Sequence, residues 1–297
     1  MAECKDIRKR ILELSFQAGS NGSHLGGSLS AVEILNTLYN SGFDFNPSKE
    51  DRDRLILSKG HAALALYCVL ESVGVLTKED AETFEQNGTT LFAHAKKNIA
   101  KGIEFSGGSL SLGASYAVGV ALACKSKQQN NRIIVLLGDG ESDEGLVWEA
   151  VMSAVNYKLD NLTFIVDCNG LQSDGYTKDV MDHSPLEEKF RGFGCKVVSV
   201  NGHNVEELLK AYQQKGENTP LVIVAHTVKG KGVSFMENLQ QWHHGTLSQS
   251  QYEQALEEVS HEKIQSENLF PFGPERFYLW YGTDGAGRQL SFQGVVL

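Results

Sequence analysis

The sequence is poor in cysteine, in positive charge and in long apolar runs, and each shortage excludes something. Its five cysteines, Cys4, Cys68, Cys124, Cys168 and Cys195, show no C-x-x-C spacing, and several lie in apolar stretches. That argues against a zinc site or a disulfide framework and for reduced, buried thiols, as in a cytoplasmic protein. No apolar run reaches the roughly 18 residues that suggest a membrane span. The N-terminal MAECKDIRKRILELS is charged and lacks the apolar core of a secretory signal. Lys and Arg number 27 against 37 Asp and Glu, a formal net charge of -10. With a pI near 5.4, a general nucleic-acid or anionic-membrane surface is excluded, while a small basic pocket for an anion is not. No internal repeat is visible.

What is present is ordinary for a globular protein, with 41% hydrophobic and 22% charged residues in a chain of 297. That length suffices for one large α/β domain or two small ones. Apolar spacing predicts helices over 4–18, 31–40, 78–86, 115–127, 144–158, 205–214 and 248–259. The Gly/Ser-rich GSNGSHLGGSLS (19–30) reads as a loop, and 88–112 as a long Gly-rich stretch without periodicity. Segment 51–74 reads as a short strand, a Ser-Lys-Gly-His turn and a buried helix. RIIVLL (132–137), NLTFIVD (161–167), CKVVSVNGHN (195–204) and PLVIVAHTVKGKG (220–232) carry β-branched runs. Such runs suit strands covered on both sides, so the expected fold class is α/β: a parallel β-sheet with helices on both faces. In such sheets ligands bind at the carboxyl ends of the strands. A domain is expected over 1–262, followed by a tail of unassigned role over 263–297.

The turn GDGESDEG (138–145) combines glycines that let a backbone approach a ligand with acids that would repel a phosphate. Gly138-x-Gly140 is not a dinucleotide-binding turn, because residue 143 is Asp, nor a Walker loop, because no Lys follows. Two neighbouring strand ends offer Asp139 and Asn169. A carboxylate and an amide oxygen are hard ligands suited to magnesium or calcium. A metal there would invert the local electrostatics and let the site hold a diphosphate. The helix expected to start near Ser142 adds amide donors and a positive end.

Gly138-Asp139-Gly140 followed by Asn169-Gly170 resembles the thiamine diphosphate signature. SNGSHLGGSLSAVEIL, DRLILSKGHAALALY, GIEFSGGSLSLGASYAVGVALA, LLGDGESDEGLVWEA, DCNGLQSDG and AHTVKGKG occur in the order in which similar segments occur in the transketolase family. The resemblance covers roughly residues 5–260 and identifies the chain with that family's N-terminal, diphosphate-binding domain. It implies thiamine diphosphate and Mg2+ (Ca2+ or Mn2+ as substitutes) as cofactors. The metal would sit on Asp139, Asn169 and the carbonyl of Leu171. His61, Lys229 and Gly140 would face the diphosphate, and Gly108, Ser109 and Leu110 would lie along the cofactor. His24 and His94 would line the substrate channel, although Ala95-Lys96 stands where the family often has Pro-Glu after the histidine. Either His243 or His244 would act near the cofactor, Trp242 favouring the first and Gly245 the second.

Glu144 and Glu149 lie about 140° apart on an ideal helix. The resemblance places them at a subunit interface, in a network reaching towards the cofactor's aminopyrimidine. Glu141 and Asp143 have no such match and are expected to be solvated. A chain of this length has no room for the family's pyrimidine-binding and third domains. The resemblance therefore implies one subunit of a split transketolase, with a C-terminal subunit carrying the pyrimidine-binding domain, as α2β2. The expected reaction is transfer of a two-carbon ketol unit from a ketose, often phosphorylated, to an aldose. Three alternatives stay open: a synthase condensing pyruvate with a sugar aldehyde, such as 1-deoxyxylulose-5-phosphate synthase, a 2-oxo-acid dehydrogenase E1 subunit, and a catalytically silent scaffold.

Overall fold

The computed structural model describes residues 1–261, and beyond them the backbone of 281–283 and 289–291. The helices before the first strand are α1 (Cys4–Gln17), α2 (Leu25–Ser30) and α3 (Val32–Tyr39). Then follow β1 (Arg54–Leu57), α4 (Ala63–Ser72), α5 (Lys78–Ala81), α6 (Leu112–Ser126), β2 (Ile133–Gly138), α7 (Gly145–Asn156) and β3 (Leu162–Cys168). The rest of this compact unit, Met1–Glu262, is α8 (Thr177–Val180), α9 (Leu186–Gly192), β4 (Lys196–Asn201), α10 (Val205–Tyr212), β5 (Leu221–His226) and α11 (Gln249–Ser260). A second unit, Lys263–Leu297, contains β6 (Tyr281–Thr283) paired antiparallel with β7 (Gln289–Ser291). The rest of the expected tail lies outside the described residues.

The main sheet is wholly parallel, in the order β1-β2-β3-β5-β4. Alternation along the strands divides its side chains between two cores. Ile133, Val135 and Leu137 of β2 face one side with Phe164 and Val224, packed with apolar residues of α6, α7 and α9. Ile134 and Leu136 face the other with Ile165 and Ile223, packed with residues from α1 to α4 and from α10 and α11. Burial on both faces is why these strands read as unbroken apolar runs. The edge strand β4 is only partly buried. The register pairs Gly138 with Asp167 and Cys168 with His226. The loops after β2, β3 and β5 therefore leave the sheet side by side.

Several local expectations are corrected. Residues 25–30 are helical, where the Gly/Ser composition reads as loop. Every residue of α2 is buried, and a Cβ on Gly27 would stand 2.8 Å from the His61 ring. Close packing without side chains outweighs the poor helix propensity of glycine. The helix expected over 78–86 stops at Ala81, behind a capping box formed by Thr77 and Asp80. The helix after Gly-Asp-Gly begins at Gly145, and a short 3-10 turn occupies Gly140–Asp143 near the expected start at Ser142. The segment between the third and fourth strands, for which no helix was expected, forms α8 and α9.

Candidate active site

Four strand-end loops converge on one cavity of about 210 Å3. The loop after β1 brings Lys59 and His61, and the loop after β2 brings Asp139 and Gly140. The loop after β3 brings Asn169 and Leu171, and the segment after β5 brings Lys229. Gly108, Leu110, His94 and His243 complete the wall among the predicted residues. Crossing loops of glycine make this convergence possible. A Cβ on Gly60 would stand 2.7 Å from the Gly108 nitrogen, and one on Gly107 would stand 2.8 Å from the Gly60 Cα.

Asp139 is 2% exposed, and its oxygens accept the N–H groups of Gly140 at 2.8 Å and of Gly170 at 2.5 Å. Burial, reinforced by the neighbouring Asp167 charge, pushes its carboxyl up to about 6. The nearby Lys59 is paired with Asp167. Asp167 also accepts from the hydroxyls of Ser30 and Thr227. Asn169 lies on the adjacent strand end, its Oδ1 accepting the Leu171 N–H at 3.1 Å. A buried carboxylate costly to ionise, beside an amide oxygen, is a donor set that a divalent cation relieves. Among the described residues no group of three His, Cys, Asp or Glu could enclose a metal. An ion on Asp139 and Asn169 must therefore draw most of its shell from elsewhere, as magnesium does with phosphates.

Leu171, the third residue of the expected metal set, also lines the cavity. Its carbonyl accepts from Lys229 Nζ at 3.1 Å, so a lysine engages the oxygen assigned to the ion. Lys229 also contacts the Gln172 carbonyl at 3.3 Å and His243 Nδ1 at 3.1 Å. It is 1% exposed, and burial and the charge of Lys59 bring its ammonium down to about 8.

The five predicted histidines form one cluster. The His24 ring lies 4.9 Å from His94, 4.6 Å from His244, 5.5 Å from His243 and 5.8 Å from His61. Burial and the surrounding basic groups lower His24 to about 3 and His243 to about 4, and hold His61 well below its ordinary value. Burial also lowers His94. These four rings are neutral at physiological pH, each with one donor and one acceptor nitrogen. His24 Nδ1 is buried without a hydrogen-bond partner among the described residues. His243 lines the cavity beside Lys229, whereas His244 packs on His24 without lining it.

Three predicted residues lie away from this centre. Ser109 is exposed and does not line the cavity, although both its neighbours do. Glu144 and Glu149 are exposed on the surface at α7. The two acids expected to be solvated are not. Glu141 is 3% exposed and accepts from the Ser58 hydroxyl, the Ser111 N–H at 2.7 Å and the Gly138 N–H at 3.1 Å. Asp143 bonds His183 Nδ1 at 2.5 Å and Gln172 at 3.2 Å. Sequence reasoning also passed over the Lys59–Asp167 pair. Its signal was a lysine two positions before His61 and an aspartate ending an apolar strand.

Fold and site together define a diphosphate-binding α/β domain of the thiamine diphosphate-dependent class. Residues 5–268 match the family model for "Transketolase, thiamine diphosphate binding domain". The chain is 38% identical over 271 residues to an apulose-4-phosphate transketolase subunit of Phocaeicola vulgatus, covering 88% of this chain and 94% of that one. It is 41% identical over 262 residues to the 6-deoxy-6-sulfo-D-fructose transketolase subunit SqwG of a Clostridium species, covering 86% and 94%. The solved transketolase of Campylobacter jejuni matches with a TM-score of 0.75 at 31% identity, covering 88% of this chain and 43% of that chain. The match thus spans less than half of that solved relative and nearly all of the two relatives named as subunits. The chain belongs to the transketolase family, as an N-terminal, thiamine diphosphate-binding subunit of the transferase class. Among the described residues no helix is long and apolar enough to cross a membrane.

Proposed function

We propose that this chain supplies the diphosphate-binding half of a transketolase active site, transferring a two-carbon ketol unit from a ketose to an aldose. The observation that carries this reading is the convergence of Asp139, Asn169, His61 and Lys229 on one cavity. Asp139 and Asn169 would hold Mg2+, with Ca2+ or Mn2+ as substitutes, and the ion would take over the Leu171 carbonyl from Lys229. Lys229, His61 and the backbone at Gly140 would then face the diphosphate. Gly108 and Leu110, with Ser109 at the rim, would lie along the cofactor. When bound, thiamine diphosphate supplies the nucleophilic carbon and the electron sink, while the protein supplies orientation and electrostatics.

The neutral imidazoles of His24, His94 and His243 can each give and take a hydrogen bond at a sugar hydroxyl or carbonyl oxygen. His244, packed against His24, would set the orientation of that ring. The relatives' subunit names support a partner chain, which would carry the pyrimidine-binding domain in an α2β2 assembly. Glu144 and Glu149 would face that second subunit, a reading that their exposure supports. The relatives are named for a sugar phosphate and a sulfo-sugar, which supports a sugar or sugar-phosphate substrate here. Calorimetric titration of thiamine diphosphate into the chain with its partner tests the reading. Saturable binding that EDTA abolishes is expected, and absence of saturable binding with Mg2+ present contradicts it.

A further inference from the structure

A buried polar chain outside the cavity holds the loop that carries Lys229. It starts on α1 at Arg8, whose Nη1 and Nη2 donate to the two carboxylate oxygens of Glu33 on α3 at 2.7 and 2.8 Å. Arg8 is 1% exposed and Glu33 5%. Glu33 Oε2 lies 2.8 Å from Nδ1 of His203. The other ring nitrogen, Nε2, accepts the backbone N–H of Val228 at 2.8 Å.

A backbone amide can only donate, so Nε2 presents its lone pair to Val228. A carboxylate can only accept, so Nδ1 carries the proton and gives it to Glu33. The partners on both sides thus fix one tautomer. Arg8 Nε reaches past this chain to the Lys231 carbonyl at 3.1 Å. The segment is held at Val228 by His203 and at Lys231 by Arg8. Between them the Gly230 N–H donates to the Gly26 carbonyl at 3.0 Å. Gly230 has φ 78°, and a Cβ there would stand 2.5 Å from the Met236 carbonyl oxygen. The backbone on both sides of Lys229 is therefore fixed, and its ammonium is delivered to the cavity wall.

We propose that His203 is a positioning residue for cofactor binding. As the Nδ1-protonated tautomer locked by Glu33 and Arg8, it fixes Val228 and so aims Lys229 at the cofactor's diphosphate. The inference rests on the reading that this cavity takes a diphosphate. His203 does not line the cavity and acts through a backbone amide next to Lys229.

The test uses the full chain with its partner subunit at saturating Mg2+. It reads thiamine diphosphate affinity separately from kcat at saturating cofactor. His203→Phe should weaken affinity by about tenfold or more, as loss of an outer-shell partner does, and leave kcat at saturation near that of the wild type. His203→Gln keeps an acceptor for Val228 and a donor for Glu33, and should restore affinity. A merely structural role would lower the melting temperature and the folded fraction while leaving the affinity of folded protein unchanged, which overturns the proposal. Nitrogen NMR of the wild-type imidazole supplies a readout independent of variant folding. A proton on Nδ1 and a bare Nε2 are expected, and the opposite tautomer overturns it. Absence of cofactor binding by the wild type would overturn the functional reading and this inference together. Tight wild-type binding with no change in His203→Phe would overturn this inference alone.

Discussion

Asp139 and Glu141 are separated by a single glycine, and the fold gives them different work. Asp139 faces the cavity, held by two backbone amides, while Glu141 ties the loops after β1 and β2 to the start of α6. The meeting of Asp139 and Asn169 at one cavity was legible because Gly-Asp-Gly and Asn-Gly end neighbouring apolar runs. Glu141 was not legible, because nothing local announces that Ser58 and Ser111 converge on it. Asp139→Asn should reduce Mg2+-dependent cofactor affinity by more than the roughly 10- to 100-fold typical of an outer-shell loss. Calorimetry checks this, and wild-type affinity in the variant would remove Asp139 from the metal site. Glu33 gives a test by pH. Burial alone would raise its carboxyl, but Arg8 and His203 outweigh burial and hold it well below its ordinary 4.5. A carboxyl depressed in the folded state stabilises the protein above its unfolded value, and that share is lost as pH falls below it. Glu33→Gln should therefore cost about 3–5 kcal/mol near neutral pH, since it breaks the buried ion pair with Arg8. The gap to wild type should close as the pH falls below 4.5. Urea melts across pH measure it, and a gap independent of pH would refute the ion-pair account.

Among the elements, the β-branched runs announced their strands because both faces of the sheet are covered. The short helix α2 was hidden for the converse reason. Its glycines contribute contact by having no side chain, and a composition of Gly and Ser carries no helical periodicity. The same principle governs the crossing of the loops that carry Gly60 and Gly107. No single segment shows that the two backbones pass within van der Waals distance of each other. Gly60→Ala places a methyl against the Gly108 backbone. It should cost about 1–3 kcal/mol as overpacking and displace the loop holding Gly108 and Leu110. The expected signature is lower denaturant stability together with weaker cofactor binding. A stability loss with intact affinity would show that this loop does not contact the cofactor.

For the molecule as a whole, the parallel sheet sets the chemistry by bringing its carboxyl-terminal loops to one place. Histidines, lysines and an aspartate separated by long stretches of sequence meet at and around a cavity of about 210 Å3. Their resemblance to known segments made the cluster legible. The identity of the ring nearest Lys229 was not, because His243 and His244 differ by one position and their neighbours Trp242 and Gly245 favour opposite choices. On the present account the chain alone should show little or no turnover, because the pyrimidine-binding half of the active site would lie on another subunit. The most direct measurement mixes this chain with a C-terminal subunit, thiamine diphosphate and Mg2+, and follows sugar products and CO2 together. The account predicts two-carbon ketol transfer from a ketose to an aldose, requiring both chains and releasing no CO2. Pyruvate decarboxylation by the mixture, or full turnover by this chain on its own, would contradict it.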